Sequence, residues 1–457
     1  MVDNSPSMGT LRQAKVADGL AGLVDRLKQE RPGIDLRIGV TSTTDDGNCG
    51  GEHSVEYGGA FTTTSCGAHR EDFTFDAAAA EPASGATPQD CPDSCPARWP
   101  TLDSGGASWL QISGDVTNLG HDVNAAQAIG CIARLGVRGC EFEEPLESMR
   151  KSMLRSVNAE FAEFGFFRWG TPQAVLLAAD EDDCSLRAAG ETILDPAGDR
   201  ALWSDPSADA PTSATCFHAG VACVGDGEPW LRCDPQRIDA RGEVTADKEL
   251  MLDVEDYDSW IRADFDWRTF VTVIAGVAPG QPSDDVSIVY EASDDPAFAT
   301  TAGCEDDSGF AYPPVRLREL AEHAIDAGSG GLHSICEDNL SGAFAELGDH
   351  LLEELAAPCG PPCTAIRSDL QPACYGVAQV VTIDTVQEVA IAPCDAKGAA
   401  TEAACIRFRF DDLPEACVEQ QAPFSWEVVH AADSRLVGAH VQLLCQRDVD
   451  CDGPYGC

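Results

Sequence analysis

Three side chains with oxygen donors alternate at the beginning of the chain. Asp3, Ser5 and Ser7 form an Asp-x-Ser-x-Ser pattern, which places one carboxylate and two hydroxyls on alternate positions of a tight turn. Hard divalent cations such as Mg²⁺ bind through oxygen ligands of this kind. The pattern is short and common, so its value as a metal-site prediction depends on the elements that position it.

A second acidic group follows a predicted buried strand. Residues 173–179 form a nearly continuous apolar run, which is typical of a parallel strand with both faces covered. Four consecutive acidic residues come directly after it, and the first of them is Asp180. Ligands of open α/β sheets bind at the carboxyl ends of the strands. We therefore expect Asp180 to face the same crevice as Asp3.

Other candidate sites are weaker. The nine histidines are scattered, and although His53, His69 and His121 share one region, no His-Glu-x-x-His or Gly-x-Ser-x-Gly motif is present. Loop histidines near acidic residues are usually surface groups, and most cysteines are expected to be oxidised, which removes a thiol nucleophile. The sequence therefore predicts a protein that is not an enzyme.

The C-terminal segment contains the spacing that opens a calcium loop. Asp448, Asp450 and Asp452 alternate and are followed by Gly453. The twelfth position of such a loop, which usually carries a bidentate glutamate, would lie beyond Cys457. We favour the alternative that this segment is a tail held by disulfides.

Composition limits the class of protein. The 457 residues suffice for two or three domains, and no apolar run approaches the length of a membrane-spanning helix. The formal net charge of −47 disfavours nucleic acid and anionic membrane surfaces as partners. Because the acidic residues are spread over the whole length, a solvated surface is favoured over one dedicated acidic site.

The chain has 21 cysteines, far more than an ordinary cytosolic protein contains. None lies in a Cys-x-x-Cys pair, which disfavours zinc ribbons and thioredoxin-like sites. We predict disulfides within local loops and a location outside the cytosol: extracellular, at the cell surface or periplasmic. The odd count leaves at least one cysteine without a partner. The closely spaced sets are Cys49/Cys66, Cys131/Cys140, Cys216/Cys223/Cys233 and Cys359/Cys363.

The elements that must position the candidate ligands follow from periodicity. Apolar residues from Leu11 to Leu27 recur at helical spacing, Pro32 and Gly33 end that helix, and residues 34–40 alternate as a strand does. This order of loop, helix and strand is half of a doubly wound α/β sheet. Further helices are predicted over residues 122–135, 145–164, 315–325 and 339–355, and further strands over residues 268–277, 286–290 and 331–335.

Two polar insertions and a change of composition divide the chain. Residues 44–120 and 185–256 are predicted to be long insertions held by disulfides, the first with a short hairpin near residues 109–112. Beyond Pro358 the apolar residues recur with period two, and nine cysteines lie there. Residues 357–457 are therefore predicted to be a small cysteine-rich β domain.

The early motifs together resemble the start of a von Willebrand factor A (VWA) domain. Residues 2–8, the helix after them and residues 38–41 carry the resemblance, supported by residues 139–147, 180–185 and 334–336. The chain is similar, more narrowly, to secreted bacterial VWA-domain proteins, many of them predicted lipoproteins. The resemblance covers residues 1–356, interrupted by the two insertions, and implies a Rossmann-like, doubly wound, mostly parallel α/β sheet.

The resemblance also implies a metal-ion-dependent adhesion site (MIDAS) made of three loops. Its first loop maps onto Asp3, Ser5 and Ser7, and its third onto Asp180. The second loop of the family usually supplies a threonine, but residues 136–143 contain neither threonine nor serine. Val137 occupies the expected position, and Glu141 or a water molecule could supply the oxygen instead.

The function implied is binding of a protein ligand through a cation. The cation is Mg²⁺, or Ca²⁺ or Mn²⁺, and an acidic side chain of the ligand completes its coordination. The alternatives are a disulfide-stabilised structural surface protein with a degenerate metal site and, less favoured, a metal-dependent hydrolase. Only Met1 and Val2 precede the first loop and no signal peptide is visible, so we expect the natural start, with a signal sequence and room for a lipid anchor, to lie upstream.

Overall fold

We describe the fold from a computed structural model of the chain. The described residues are 1–31, 34–44, 58–73, 75–76, 81–82, 91–99, 107–114, 116–120, 122–167, 172–188, 190–226, 229–245, 247–262 and 269–354, and then 359, 364–365, 367, 371–381, 386–395, 404–411, 413, 417, 422–430 and 440–446.

The contacts within the chain separate it into two units. The first unit comprises Met1–Phe166 and Gln173–His350, and the second comprises Phe167–Pro172 and Leu351–Cys457. Each unit is described by itself.

The described residues contain seven α-helices, in chain order α1 Gly9–Glu30, α2 Ala125–Ile132, α3 Pro145–Val157, α4 Ser213–Gly220, α5 Val254–Trp260, α6 Val315–Asp326 and α7 Ser341–Glu354. No helix in this described part is both long and apolar enough to cross a membrane.

The strands fall into short antiparallel pairs and one parallel group. In chain order they are β1 Asp35–Ile38, β2 Phe75–Asp76, β3 Glu81–Pro82, β4 Leu110–Ser113, β5 Val116–Thr117, β6 Ala174–Ala178, β7 Val221–Val224, β8 Arg232–Pro235, β9 Phe270–Ala275, β10 Cys304–Asp306, β11 Gly309–Ala311, β12 Gly330–Ser334, β13 Cys374–Val381, β14 Val386–Ile391, β15 Ala404–Arg409, β16 Ser425–His430 and β17 His440–Cys445.

A parallel sheet organises the first unit. Its strands lie in the order β12–β9–β6, with both neighbours parallel to β9. Val2 extends the sheet, because it forms parallel bridges to Ala178 on one side and to Ser42 on the other. Beyond it, β1 pairs antiparallel with β4, and β4 with β5. The predicted mixed α/β class with parallel strands is thereby confirmed.

Helices cover both faces of this sheet. On one face, Val271, Val273 and Ala275 of β9 belong to a core shared with side chains of α3, α5 and α6. On the other face, the ring of Phe270 stacks on His350 of α7 at 4.2 Å between centroids. Every residue of β9 is buried, which explains its continuous apolar sequence.

Three predicted elements differ from the structure. The hairpin near residue 110 forms, but its strand β4 pairs with β1, so it belongs to a three-stranded sheet of β1, β4 and β5 rather than to an insertion. Helix α3 ends at Val157 instead of residue 164, because Asn158 turns to an extended conformation and its side chain accepts the Glu160 N–H. Residues 286–289 form no strand, since the N–H of Ser287 donates to a glutamine side chain.

Eight disulfides join described cysteines, and most are less local than predicted. Cys223–Cys233 lies within a predicted set, whereas the pairs Cys49/Cys66, Cys131/Cys140 and Cys359/Cys363 are wrong. Closeness in sequence does not set the separation of Cα atoms, which the fold decides: α2 brings Cys131 to 5.6 Å from Cys95. The other bonds are Cys66–Cys91, Cys184–Cys216, Cys304–Cys336, Cys359–Cys417, Cys374–Cys445 and Cys394–Cys405.

The second unit is built from antiparallel strands, as the period-two pattern predicts. Strand β13 pairs with β14 and with β17, and β15 pairs with β16. A small core contains Ile406 and Phe424, both fully buried. The disulfide Cys374–Cys445 joins the facing ends of β13 and β17. The predicted calcium-loop segment with Asp448, Asp450 and Asp452 lies outside the described residues.

Candidate metal centre

The first loop begins inside the sheet. The Val2 N–H donates to the Thr41 carbonyl at 3.0 Å, and the Asp3 N–H donates to the Ala178 carbonyl at 2.9 Å. These two bonds fix the point at which the chain leaves the sheet at the carboxyl ends of its parallel strands. Ser5 turns the loop back, because its N–H donates to Asp3 Oδ1 at 2.7 Å.

The structure brings the four predicted ligands together. The Oγ atoms of Ser5 and Ser7 lie 2.9 Å apart, and the Ser7 hydroxyl donates to Asp180 Oδ1 at 3.4 Å. Asp3, Ser5 and Asp180 are buried, whereas Ser7 is exposed, so the group opens to solvent at Ser7. The predicted juxtaposition of Asp3 and Asp180 is present, and their binding of a metal stays a prediction.

Asn4 joins the first loop to the second. The Gly139 N–H donates to the Asn4 carbonyl at 2.7 Å, and the Thr44 hydroxyl donates to Asn4 Oδ1 at 2.9 Å. The loops approach so closely that a Cβ atom on Gly139 would lie 2.6 Å from Asn4 Cγ. Glycine is therefore required at residue 139 for this contact.

The second loop places Glu143, rather than a residue named by the prediction, next to the other acids. Val137 contributes its N–H to the Asp72 carbonyl and has no side-chain oxygen, and Glu141 is exposed. Glu143 is only 2% exposed, and its Oε1 accepts no hydrogen bond from a described residue. Sequence reasoning missed Glu143, whose single signal was its place just before α3.

The buried acids disfavour one another's charge. Burial raises the pKa of Asp3, and burial followed by the negative charges of Asp3 and Glu181 raises the pKa of Asp180 well above its ordinary range. Burial, then the charges of Asp3, Glu181 and Asp180, does the same to the pKa of Glu143. The pKa of Glu181 is raised to about 7, chiefly by burial. This region therefore holds more buried acids than basic groups that could balance them.

Arg12 of α1 is the one basic side chain paired with these acids in the described part of the chain. Its Nη1 donates to Asp180 Oδ2 at 3.0 Å, and neither side chain is exposed. Its Nη2 donates to Asp306 Oδ1 at 2.9 Å and to the Gly309 carbonyl at 2.7 Å. Asp180 thus has one oxygen held by Arg12 and the other turned toward Ser7.

The sequence did not assign Arg12 a role, although one signal for it existed. Arg12 lies four residues before Val16, on the stripe of α1 that becomes buried. Leu11, which was predicted to be on this stripe, is 38% exposed. A charged residue at a buried helical position implies a buried partner, and the partner here is Asp180.

The remaining candidates do not form sites in the described residues. Cys66, Cys91 and Cys95 have sulfur atoms close enough for one metal ion, but all three are in disulfides and offer no thiolate. His69 Nδ1 lies 3.2 Å from Asp72 Oδ2, while His53 and His121 are outside the described residues.

We compared the chain with protein-family models, with curated proteins and with solved structures, and none of them matches.

Proposed function

We propose that this chain binds a divalent cation, Mg²⁺ first, through Asp3, Ser5, Ser7 and Asp180, and that the bound cation binds a carboxylate of a protein ligand. One observation carries the proposal: Asp3 Oδ2 is buried and accepts no hydrogen bond from a described residue, and the acids near Asp3, which include Asp180 and Glu143, add negative charge instead of balancing it. A buried carboxylate without compensating charge costs several kcal/mol, roughly, and a cation would remove that cost.

The donor set suits Mg²⁺, or alternatively Ca²⁺ or Mn²⁺. All four side chains offer oxygen, and the two hydroxyls are neutral, so a cation held there keeps positive charge for an acidic ligand. The exposed Ser7 gives such a ligand access. Glu143 adds a further negative charge nearby, which favours the cation and leaves less positive charge for the ligand. Cation binding is therefore the better supported half of the proposal.

The fold is consistent with the resemblance to a VWA domain. A parallel sheet with helices on both faces, and ligand residues at the carboxyl ends of its strands, is the arrangement that the resemblance implies. Eight disulfides suit an oxidising compartment, so we place this activity outside the cytosol. The proposal includes no catalytic step.

A structural protein with a degenerate site is the second candidate. The observation that favours it is the Arg12–Asp180 ion pair, which supplies an internal positive charge without any metal. The two candidates differ in one measurable respect: only with a functional metal centre does stabilisation by a divalent cation depend on Asp3.

Thermal melting with Mg²⁺ and with chelator tests the proposal. At 100 times the dissociation constant, Mg²⁺ should stabilise the wild type by about 2.7 kcal/mol. Asp3→Asn should abolish this stabilisation. In chelator, the Asp3→Asn variant should be at least as stable as the wild type, because the substitution removes a buried charge. Asp25→Asn, which removes an exposed carboxylate of α1, should respond to Mg²⁺ as the wild type does. Equal responses of wild type and Asp3→Asn would reject the metal centre and leave the structural candidate.

A further inference from the structure

A small cavity of about 30 Å³ lies beside the candidate metal centre. Glu143 and Glu181 line it, and both influence the charge of Asp180, so the cavity and the metal centre are neighbours. Its volume is enough for one compact polar group, since a single water molecule needs about 10–15 Å³ by this kind of measure.

The two glutamates of the cavity wall have no positive partner. Among the described residues, no ion pair joins Glu143 or Glu181 to a basic side chain, and Glu143 Oε1 accepts no hydrogen bond although Glu143 is 2% exposed. Of the adjacent acids, Asp180 pairs with Arg12 and Asp183 pairs with Arg316. Asp182, which also lines the cavity, accepts only the backbone N–H of Arg316 at Oδ1, and its Oδ2 has no hydrogen-bond donor among the described residues. A buried residue with an orphaned carboxylate oxygen, Glu143, thus lines the cavity.

Aromatic side chains also line the cavity. Phe298 and Tyr312 stack at 4.1 Å between centroids, and Phe217 also lines the cavity. Aromatic faces attract cations, and the attraction grows when water is excluded. A wall of carboxylates and aromatic rings around a small volume favours a compact organic cation over a neutral group.

We propose that this cavity binds a primary ammonium group, such as the end of a lysine side chain. A guanidinium group is planar and larger, whereas an ammonium is a compact charge with three donors, which matches the volume and the free Glu143 oxygen. In the protein ligand proposed above, we expect a lysine close to the carboxylate that binds the cation. This expectation about the ligand rests on the proposed function, whereas binding of an ammonium group by the cavity does not.

A second metal ion fits the cavity less well. In the described part of the chain, no three acidic or histidine side chains offer ligand atoms within 4.8 Å of one another. The aromatic rings also supply no ligand atoms of the kind that hard cations need.

The test uses the full chain in chelator and N-acetyl-lysine methylamide as the probe, followed by ligand-detected NMR. We expect saturable binding by the wild type, and binding at least tenfold weaker for the Nε-acetylated probe, which lacks the charge. Glu143→Gln should weaken binding of the charged probe at least tenfold. Glu160→Gln, which removes an exposed carboxylate outside the cavity, should bind it as the wild type does.

A second variant and the response to Mg²⁺ distinguish failure of the ammonium site from failure of the proposed function. Phe298→Leu removes a ring without removing charge and should weaken binding several-fold, which keeps the proposal testable if Glu143→Gln does not fold. Equal binding of the neutral and charged probes would overturn the proposal. It would also be overturned if Glu143→Gln lost its response to Mg²⁺ but kept probe binding. If the wild type binds the charged probe but is not stabilised by Mg²⁺, the proposed function is rejected and the ammonium site is retained.

Discussion

At the scale of single residues, Arg12 determines how Asp180 can act. Its guanidinium is fully buried and contacts Asp180, Asp306 and two backbone carbonyls of β11. Arg12 therefore orients the Asp180 carboxylate and leaves Oδ1 as the oxygen available on the side of Ser7. Its charge lowers the pKa of Asp180, against burial and the negative charges of Asp3 and Glu181, which raise it.

Replacing Arg12 should be strongly destabilising. Arg12→Gln leaves Asp180 buried without its counter-charge, and the loss of one member of a buried pair costs about 3–5 kcal/mol. Chemical denaturation in chelator should show this loss. Arg26→Gln is the matched control on the same helix, because its ion pair with Asp349 is exposed and should contribute less than about 1 kcal/mol. Equal losses in the two variants would contradict the role given to Arg12.

Glu181 should give the metal-free protein a pH-dependent stability. Its pKa rises from 4.5 unfolded to about 7 folded, so the folded state binds more protons and loses stability as pH rises through this window. Glu181→Gln cannot ionise and avoids the loss. In chelator, the stability of Glu181→Gln relative to wild type should therefore increase between pH 5 and pH 8, by at most a few kcal/mol, roughly 1.4 for each pKa unit.

Melting curves of both proteins across that range provide the measurement. If the stability of Glu181→Gln relative to wild type stayed constant or decreased between pH 5 and pH 8, Glu181 would already be ionised in the folded protein at pH 5.

At the scale of elements, regular segments were predictable and the contacts between loops were not. Helix α1 follows from its periodicity, and strands β6 and β9 follow from their apolar runs. Strand β9 is buried throughout, whereas β6 is buried only at Leu177 and Ala178. The place of Asp180 followed from the parallel sheet. Glu143 did not, because its approach to Asp3 depends on how the second loop folds against the first.

The disulfides illustrate the same limit. Cys131 bonds to Cys95, which is 36 residues earlier, rather than to the nearby Cys140, because α2 presents one side chain to the loop that contains Cys95. Sequence spacing limits how far apart two cysteines can lie, whereas a disulfide usually needs their Cα atoms within roughly 4.4–6.8 Å. Only the folded arrangement supplies that distance.

The contact between the first two loops can be tested at Gly139. A methyl group there would meet Asn4 at 2.6 Å and displace the loop that carries Asp3, so Gly139→Ala should destabilise by about 1–3 kcal/mol and weaken Mg²⁺ binding. Gly22→Ala in α1 meets nothing within 4 Å and should stabilise by about 1 kcal/mol. Denaturation and Mg²⁺ titration of both variants provide the comparison, and unchanged Mg²⁺ affinity in Gly139→Ala would argue against coupling of the loops.

At the scale of the whole molecule, the net charge of −47 means that acidic groups repel one another in the compact state. Monovalent salt shortens the range of this repulsion from about 30 Å at 0.01 M to about 10 Å at 0.1 M. The melting temperature in chelator should therefore rise with NaCl over this range, and KCl should act equally because screening is not specific to the ion. A melting temperature that fell with both salts would show that attractive surface pairs dominate.

The order of residues along the chain has a consequence for biosynthesis. Ser7 and Asp180, which meet in the folded protein, are separated by 173 positions, and the Arg12–Asp306 contact spans 294. Because chains are made from the N-terminus, the first ligands leave the ribosome long before their partners. The cysteines of Cys66–Cys91, Cys95–Cys131 and Cys184–Cys216 also all precede residue 306 in the chain. Cation binding would then mark the completion of the first unit rather than initiate its folding.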